Sequence, residues 1–296
     1  MMHLHMIGIA VAIAFITRLF VCKRSVSDSW QTRWQTALLA FVVPPLFLMA
    51  TAVAILAMGN SGAPLWEGWL SSGLALGFGL FAVGTWSQLI WSAIAVRRRI
   101  HQYPCRELST TVSSAYAKGT LIETPVVFSA QVGLWSSELV VSQGLLDHLD
   151  PEHLEAVLAH ESGHAHYRDT FWFFWLGGLK RLTGWLPHSE ALWQELLLLR
   201  EVRADRWAAR RVDGLVLAES LLSVITAPLA ATEAICAGFS CAAPRSRLAQ
   251  RVDALLSGEE VGEEVREEEE PRWFLALQWS AIALSLSPLM TIPFHH

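Results

Sequence analysis

The chain has 296 residues, of which 53% are hydrophobic and only 17% charged, with 14 Trp and a formal net charge of −5. That is too apolar for an ordinary soluble enzyme of this size, so the surplus is expected to face lipid. The acidic balance, without a clustered Lys/Arg surface in the polar part, argues against a direct nucleic-acid partner. Cys22, Cys105, Cys236 and Cys241 have neither C-x-x-C spacing nor the density of a disulfide scaffold, which suits a reducing compartment.

Four apolar stretches can each span a bilayer core, which takes about 20 mainly apolar helical residues. The first, residues 6–22, has no basic region before it and Lys23 and Arg24 after it, so it reads as a retained membrane helix and not a cleaved signal. Its Arg18 is expected to snorkel to the interface. The second, residues 37–58, contains Pro44 and Pro45, which membrane helices tolerate. The third, residues 69–96, is Gly-rich and free of charge, and it stops at Arg97, Arg98 and Arg99. The fourth, residues 273–294, is also free of charge and follows an acidic linker, residues 258–272.

Basic residues mark cytoplasmic loops. Lys23, Arg24 and Arg33 follow the first span and the Arg triplet follows the third, whereas the loop at 59–68 holds only Glu67. Both termini are therefore expected outside, and residues 100–257 are expected to form a cytoplasmic domain.

Within that domain, residues 125–130 (PVVFSA) and 138–142 (ELVVS) read as a small hairpin around a Gly-containing turn. The first of these could offer main-chain bonds to an extended peptide. Asp150 then caps a helix with Pro151 in its first turn and apolar Leu154, Val157 and Leu158 at helical spacing. The apolar run at 171–179 is too short to span and is expected at the interface. Further helices are expected at about 190–212 and 246–256. The fold class is thus a mainly α membrane protein with about four transmembrane helices and a cytoplasmic α+β domain containing a small hairpin or sheet.

The chemistry centres on H-E-S-G-H, residues 160–164. Two histidines four apart project from one face of a helix and can share one metal ion, with Glu161 beside it as a general base. Gly163 lowers intrinsic helix stability within this motif. A catalytic zinc wants three protein ligands and an open position, so a third His, Asp or Glu must come from elsewhere. Glu201, in R-E-V-R-A-D, is the best candidate. Asp205, four residues on, could then accept the other ring N–H of a histidine ligand, plausibly His160. The competing reading of this segment is a solvated charged face with Arg200, Arg203 and Arg206. One Zn2+ suits these ligands, although cobalt or manganese could occupy them. His166 is turned away from His164 and is expected to be exposed. His188 or Tyr167 could help hold an oxyanion, and Arg251, in R-V-D-A-L-L, reads by itself as a helix-surface arginine.

The stretch SELVVSQGLLDHLDPEHLEAVLAHESGHAHYRD followed by REVRAD resembles the membrane-bound gluzincin peptidases. The BlaR/MecR-type antirepressor peptidases are nearest in pattern, with the membrane heat-shock and prenyl-protein protease family a close second. The resemblance implies that His160, His164 and Glu201 are zinc ligands, Glu161 the general base and Asp205 a support for a ligand. It also implies an arginine near the site at Arg251, an acidic residue at Asp169 and a bacterial inner membrane location. A zinc endopeptidase acting on a protein substrate, in the antirepressor type a transcriptional repressor, is the implied function. No extracellular penicillin-binding domain follows the last span, so β-lactam sensing is not expected. The rival readings are a quality-control protease with the same chemistry and a non-proteolytic metal sensor. The latter predicts ionisable residues in the spans, where Arg18 is the only charge.

Overall fold

The three N-terminal apolar runs fold as helices: α1 (Met2–Val21), α2 (Trp30–Met58) and α3 (Leu65–Ile100). The computed structural model describes residues 2–21, 30–59, 65–103, 105–107, 119–226, 247–256, 280, 283 and 285–295. The chain divides into two units. The first comprises Met1–Gln88, Gly178–Leu196 and Arg266–His296, and the second Leu89–Gly177 and Leu197–Val265.

In the first unit, α1 packs along α2, with Ala10, Ala14, Leu48 and Leu186 in one buried cluster. Among the described residues, Trp30–Met58 and Trp66–Ile100 are long and apolar enough to cross a membrane, and His3–Leu19 is a shorter apolar helix. Of the four expected spans, the second and third are such helices among the described residues. Along α3, Leu80, Val83 and Trp91 leave well over half of their surface exposed, as a lipid-facing helix would. Arg18 corrects the expectation that it snorkels: it is fully buried, lies over the Phe41 ring and donates from Nη2 to the Phe41 carbonyl at 3.2 Å. The cause is Pro45, which has no N–H to offer the carbonyl four residues back, so that acceptor is open to a side chain.

The C-terminal span is described only in part. Residues 273–279, 281, 282 and 284 of it, like the acidic linker at 258–272, lie outside the described residues. The described end, Ser287–His295, is a 3-10 helix and not an α-helix. Pro288 and Pro293 account for this, since each removes a donor from the α-helical ladder.

The second unit holds a four-stranded sheet of β1 (Cys105–Glu107), β2 (Gly119–Ile122), β3 (Ser129–Val132) and β4 (Glu138–Ser142), in the order β1-β2-β4-β3. Only β2 and β4 pair in parallel. The expected hairpin exists, but its first strand starts at Ser129 and not at Pro125. Residues 124–128 are instead held outside a regular ladder: Gly144 donates to the Thr124 carbonyl at 2.8 Å, and the Phe128 N–H donates to Ser142 Oγ at 3.0 Å. Gly144 has to be glycine, because a Cβ there would sit 2.2 Å from the Pro125 carbonyl oxygen.

Among the described residues six helices follow: α4 (Gln143–His148), α5 (Pro151–His166), α6 (Asp169–Thr183), α7 (Ser189–Ala209), α8 (Gly214–Thr226) and α9 (Leu248–Leu256). The short apolar run at 171–179 is thus part of a regular helix. In the second unit the core has two halves around α5. Leu154, Val157 and Leu158 pack with Leu139, Val141 and Leu145 of β4 and α4, and Ala156 and Ala159 pack with Ala208, Leu217 and Leu221 of α7 and α8.

Candidate metal centre

The start of α5 follows from its first residues. Asp150 accepts from the His153 N–H at 3.0 Å, and Pro151 opens the helix, where its missing donor costs nothing. Burial of α5 on two sides leaves a third for His160, Glu161 and His164. On that side α7 comes close at Gly163, where a Cβ would lie 3.0 Å from Ala204 Cα and 3.2 Å from its carbonyl oxygen. The glycine that weakens the isolated helix is what lets α7 approach. Beside it, Trp207 Nε1 donates to Ser162 Oγ at 2.9 Å.

This approach delivers Glu201. His160 Nε2 lies 3.1 Å from His164 Nε2, and Glu201 places Oε2 at 3.5 Å from the first and Oε1 at 3.7 Å from the second. All three residues turn one ligand atom into the same small volume, within 4.8 Å of one another, and could hold a metal ion.

Each histidine is backed by its own carboxylate, and each carboxylate by an arginine. His164 Nδ1 is 2.7 Å from Asp169 Oδ2, and Arg203 pairs with the other oxygen of Asp169. His160 Nδ1 is 2.8 Å from Asp205 Oδ1, an ion-pair distance, although out of line for a ring N–H hydrogen bond. Arg251 grips Asp205 with two bonds of 2.8 and 2.7 Å. Carboxylates on both Nδ1 atoms favour tautomers that leave both Nε2 lone pairs facing each other, an arrangement that calls for a cation between them. The donor set therefore fits a tetrahedral site of two imidazoles and a carboxylate with one position left over.

The charges agree. Burial would raise Glu201, but Arg200, His164, His160 and Arg251 hold it well below the usual carboxylate range. Burial likewise opposes ionisation of Asp205, and Arg251 with His160 overrides it, keeping Asp205 low. Burial also disfavours a charged His160, yet Asp205 and Glu201 outweigh it and push the ring up to about 9. Arg251 stays charged by its contacts with Asp205 and Glu201 despite burial.

Residues 110–194 match the model of peptidase family M48. The match contains H-E-S-G-H and supports a metal-dependent peptidase. It ends before Glu201, Asp205 and Arg251, so their part in the cluster rests on the geometry. No curated protein and no solved structure matches the chain.

The remaining expected residues divide between the cluster and other places. Arg251 is buried at the cluster and not on a helix surface. The charged face proposed for Arg200, Arg203 and Arg206 is only partly solvated, since Arg200 is 5% exposed and donates to Glu201 Oε1 from Nε and Nη2 at 2.9 and 2.7 Å. His166 is exposed as expected, stacked on Trp207. Tyr167 lies against Trp207 with Arg203 over its ring, and makes no described contact with the histidine pair. His188 lies in the first unit, exposed, with φ 57°.

Two contributors went unnoticed in the sequence. Ser129 Oγ donates to Glu161 Oε1 at 2.9 Å, and Gln131 Nε2 donates to the Glu161 carbonyl at 3.2 Å. The only sequence signal for them was two polar residues alternating in an otherwise apolar strand.

Proposed function

We propose that this protein is a membrane-bound zinc endopeptidase that hydrolyses peptide bonds of a cytoplasmic or juxtamembrane protein. The observation that carries the reading is the convergence of His160, His164 and Glu201 on one volume, with Glu161 next in sequence and the M48 match across the motif. His160, His164 and Glu201 would hold Zn2+, with Asp169 and Asp205 fixing the two rings. A bound zinc ion supplies Lewis acidity that polarises a peptide carbonyl and makes water a stronger acid.

The chain's own residues do the rest. Glu161 takes the proton of the attacking water and returns it to the leaving amine, so it ends each turnover as it began. Arg251, 3.4 Å from Glu201 Oε2 and bonded to Asp205, offsets part of the negative charge that these two carboxylates bring to the reaction centre. β3, at the edge of the sheet and bonded to Glu161, supports pairing of an extended substrate along it. A cytoplasmic placement rests on the basic flanks. A transcriptional repressor as the substrate rests on the antirepressor resemblance alone, and the M48 match favours no particular substrate.

The test is casein cleavage by protein reconstituted in vesicles, before and after chelation and after return of zinc. Activity lost on chelation and regained with zinc supports the reading. Cleavage that persists without metal contradicts it.

A further inference from the structure

Ser129 and Gln131 sit two apart on β3, so their side chains share one face of the strand. Their neighbours Ala130 and Val132 turn the other way, into a core with Ile122 and Val140. Both polar residues on the first face bond to a single residue of α5. Gln131, 5% exposed, holds the backbone of Glu161, and Ser129 holds its carboxylate. Four-residue β3 thus spends both side chains of that face on fixing Glu161.

The bond from Ser129 goes to Oε1. Among the described residues Oε2 of Glu161 has no hydrogen-bond partner, so one oxygen is held and the other is left to exchange a proton. A carboxylate on a two-carbon stem samples several rotamers when nothing holds it, and a base must lie within hydrogen-bond reach of the proton it takes.

From this geometry we infer that Ser129 is a positioning residue for catalysis: its hydroxyl locks the Glu161 carboxylate so that Oε2 is presented to the attacking water. This rests on the peptidase reading and deepens it, since that reading requires only that Glu161 be near the metal. Ser129 does not touch the reacting atoms itself. Gln131 fixes the backbone from which the carboxylate projects, and the arrangement links the edge strand to the base.

The experiment is steady-state cleavage of a quenched fluorescent peptide by reconstituted wild type, Ser129→Ala, Ser129→Thr and Glu161→Gln, each with its zinc content and melting temperature measured. Loss of one hydrogen bond to a charged group predicts that Ser129→Ala lowers kcat by about tenfold. KM should stay within about twofold, because the substrate contacts are untouched. Ser129→Thr keeps the hydroxyl and should recover most of kcat. Zinc content and melting should match wild type in both.

Ser129→Ala with wild-type kcat overturns the inference. So does Ser129→Thr as slow as Ser129→Ala, or a loss confined to KM. A zinc-loaded wild type that cuts no better than Glu161→Gln would defeat the peptidase reading itself, which separates the two failures.

Discussion

At single residues, the histidine pair depends on its carboxylate partners as much as on its own spacing. Asp169, 2.7 Å from His164 Nδ1, fixes which ring nitrogen is free. Asp169→Asn should weaken zinc binding by roughly 10- to 100-fold, measured by competition with a chromogenic chelator, while leaving the fold intact. The pH response of the metal-free protein follows from the same contacts. His160 is raised from 6.5 to about 9, so its contribution to stability is complete below about 6.5 and is lost as pH rises through 9. Glu201 and Asp205 are lowered, so theirs is present above their ordinary values and is lost as pH falls through the depressed ones. Chelated protein should therefore melt at lower temperature at pH 9.5 than at pH 6.5, and zinc-loaded protein should show a smaller difference, both read by tryptophan fluorescence. The H-E-S-G-H residues were legible because a motif at helical spacing declares its own geometry. Ser129, Gln131 and Arg200 were not, because their importance comes from elements brought together only by folding.

Among the elements, α5 and α7 decide whether the ligands meet. Gly163→Ala places a methyl 3.0 Å from Ala204 Cα, and backbone cannot swing aside. The expected result is an overpacking cost of about 1–3 kcal/mol, partly offset by better helix propensity, together with weaker zinc binding as α7 and Glu201 are pushed back. Thermal melting and chelator competition measure the two effects. Leu158, 1% exposed between α5 and the sheet, tests the core without touching the site. Leu158→Ala should cost about 2–5 kcal/mol in chemical unfolding. The cap at Asp150 and the apolar spacing of α5 could be read directly, since both are local signals. The hairpin start could not, because the bonds that hold 124–128 out of the ladder come from Ser142 and Gly144, far along the chain. The parallel β2–β4 pairing is non-local in the same way and leaves no pattern in a four-residue strand.

For the whole molecule, composition and basic flanks indicated a membrane protein, and two helices long and apolar enough to cross a bilayer agree with that. Of the fourth expected span only the last part is described, and there the chain forms a 3-10 helix over Ser287–His295. Trp135, 77% exposed in the β3–β4 turn, offers a topology probe. With the native cysteines removed, Trp135→Cys should resist a membrane-impermeant maleimide in intact cells and react in inverted vesicles. Labelling of intact cells would reverse the proposed orientation.

In the proposed mechanism Glu161 is the base and Glu201 a metal ligand, two carboxylates with separable roles. The most direct measurement compares casein cleavage and zinc content for wild type, Glu161→Gln and Glu201→Gln in vesicles. Glu161→Gln should keep its zinc and lose cleavage, while Glu201→Gln should lose both. Cleavage retained by Glu161→Gln, or zinc retained at wild-type affinity by Glu201→Gln, would contradict it.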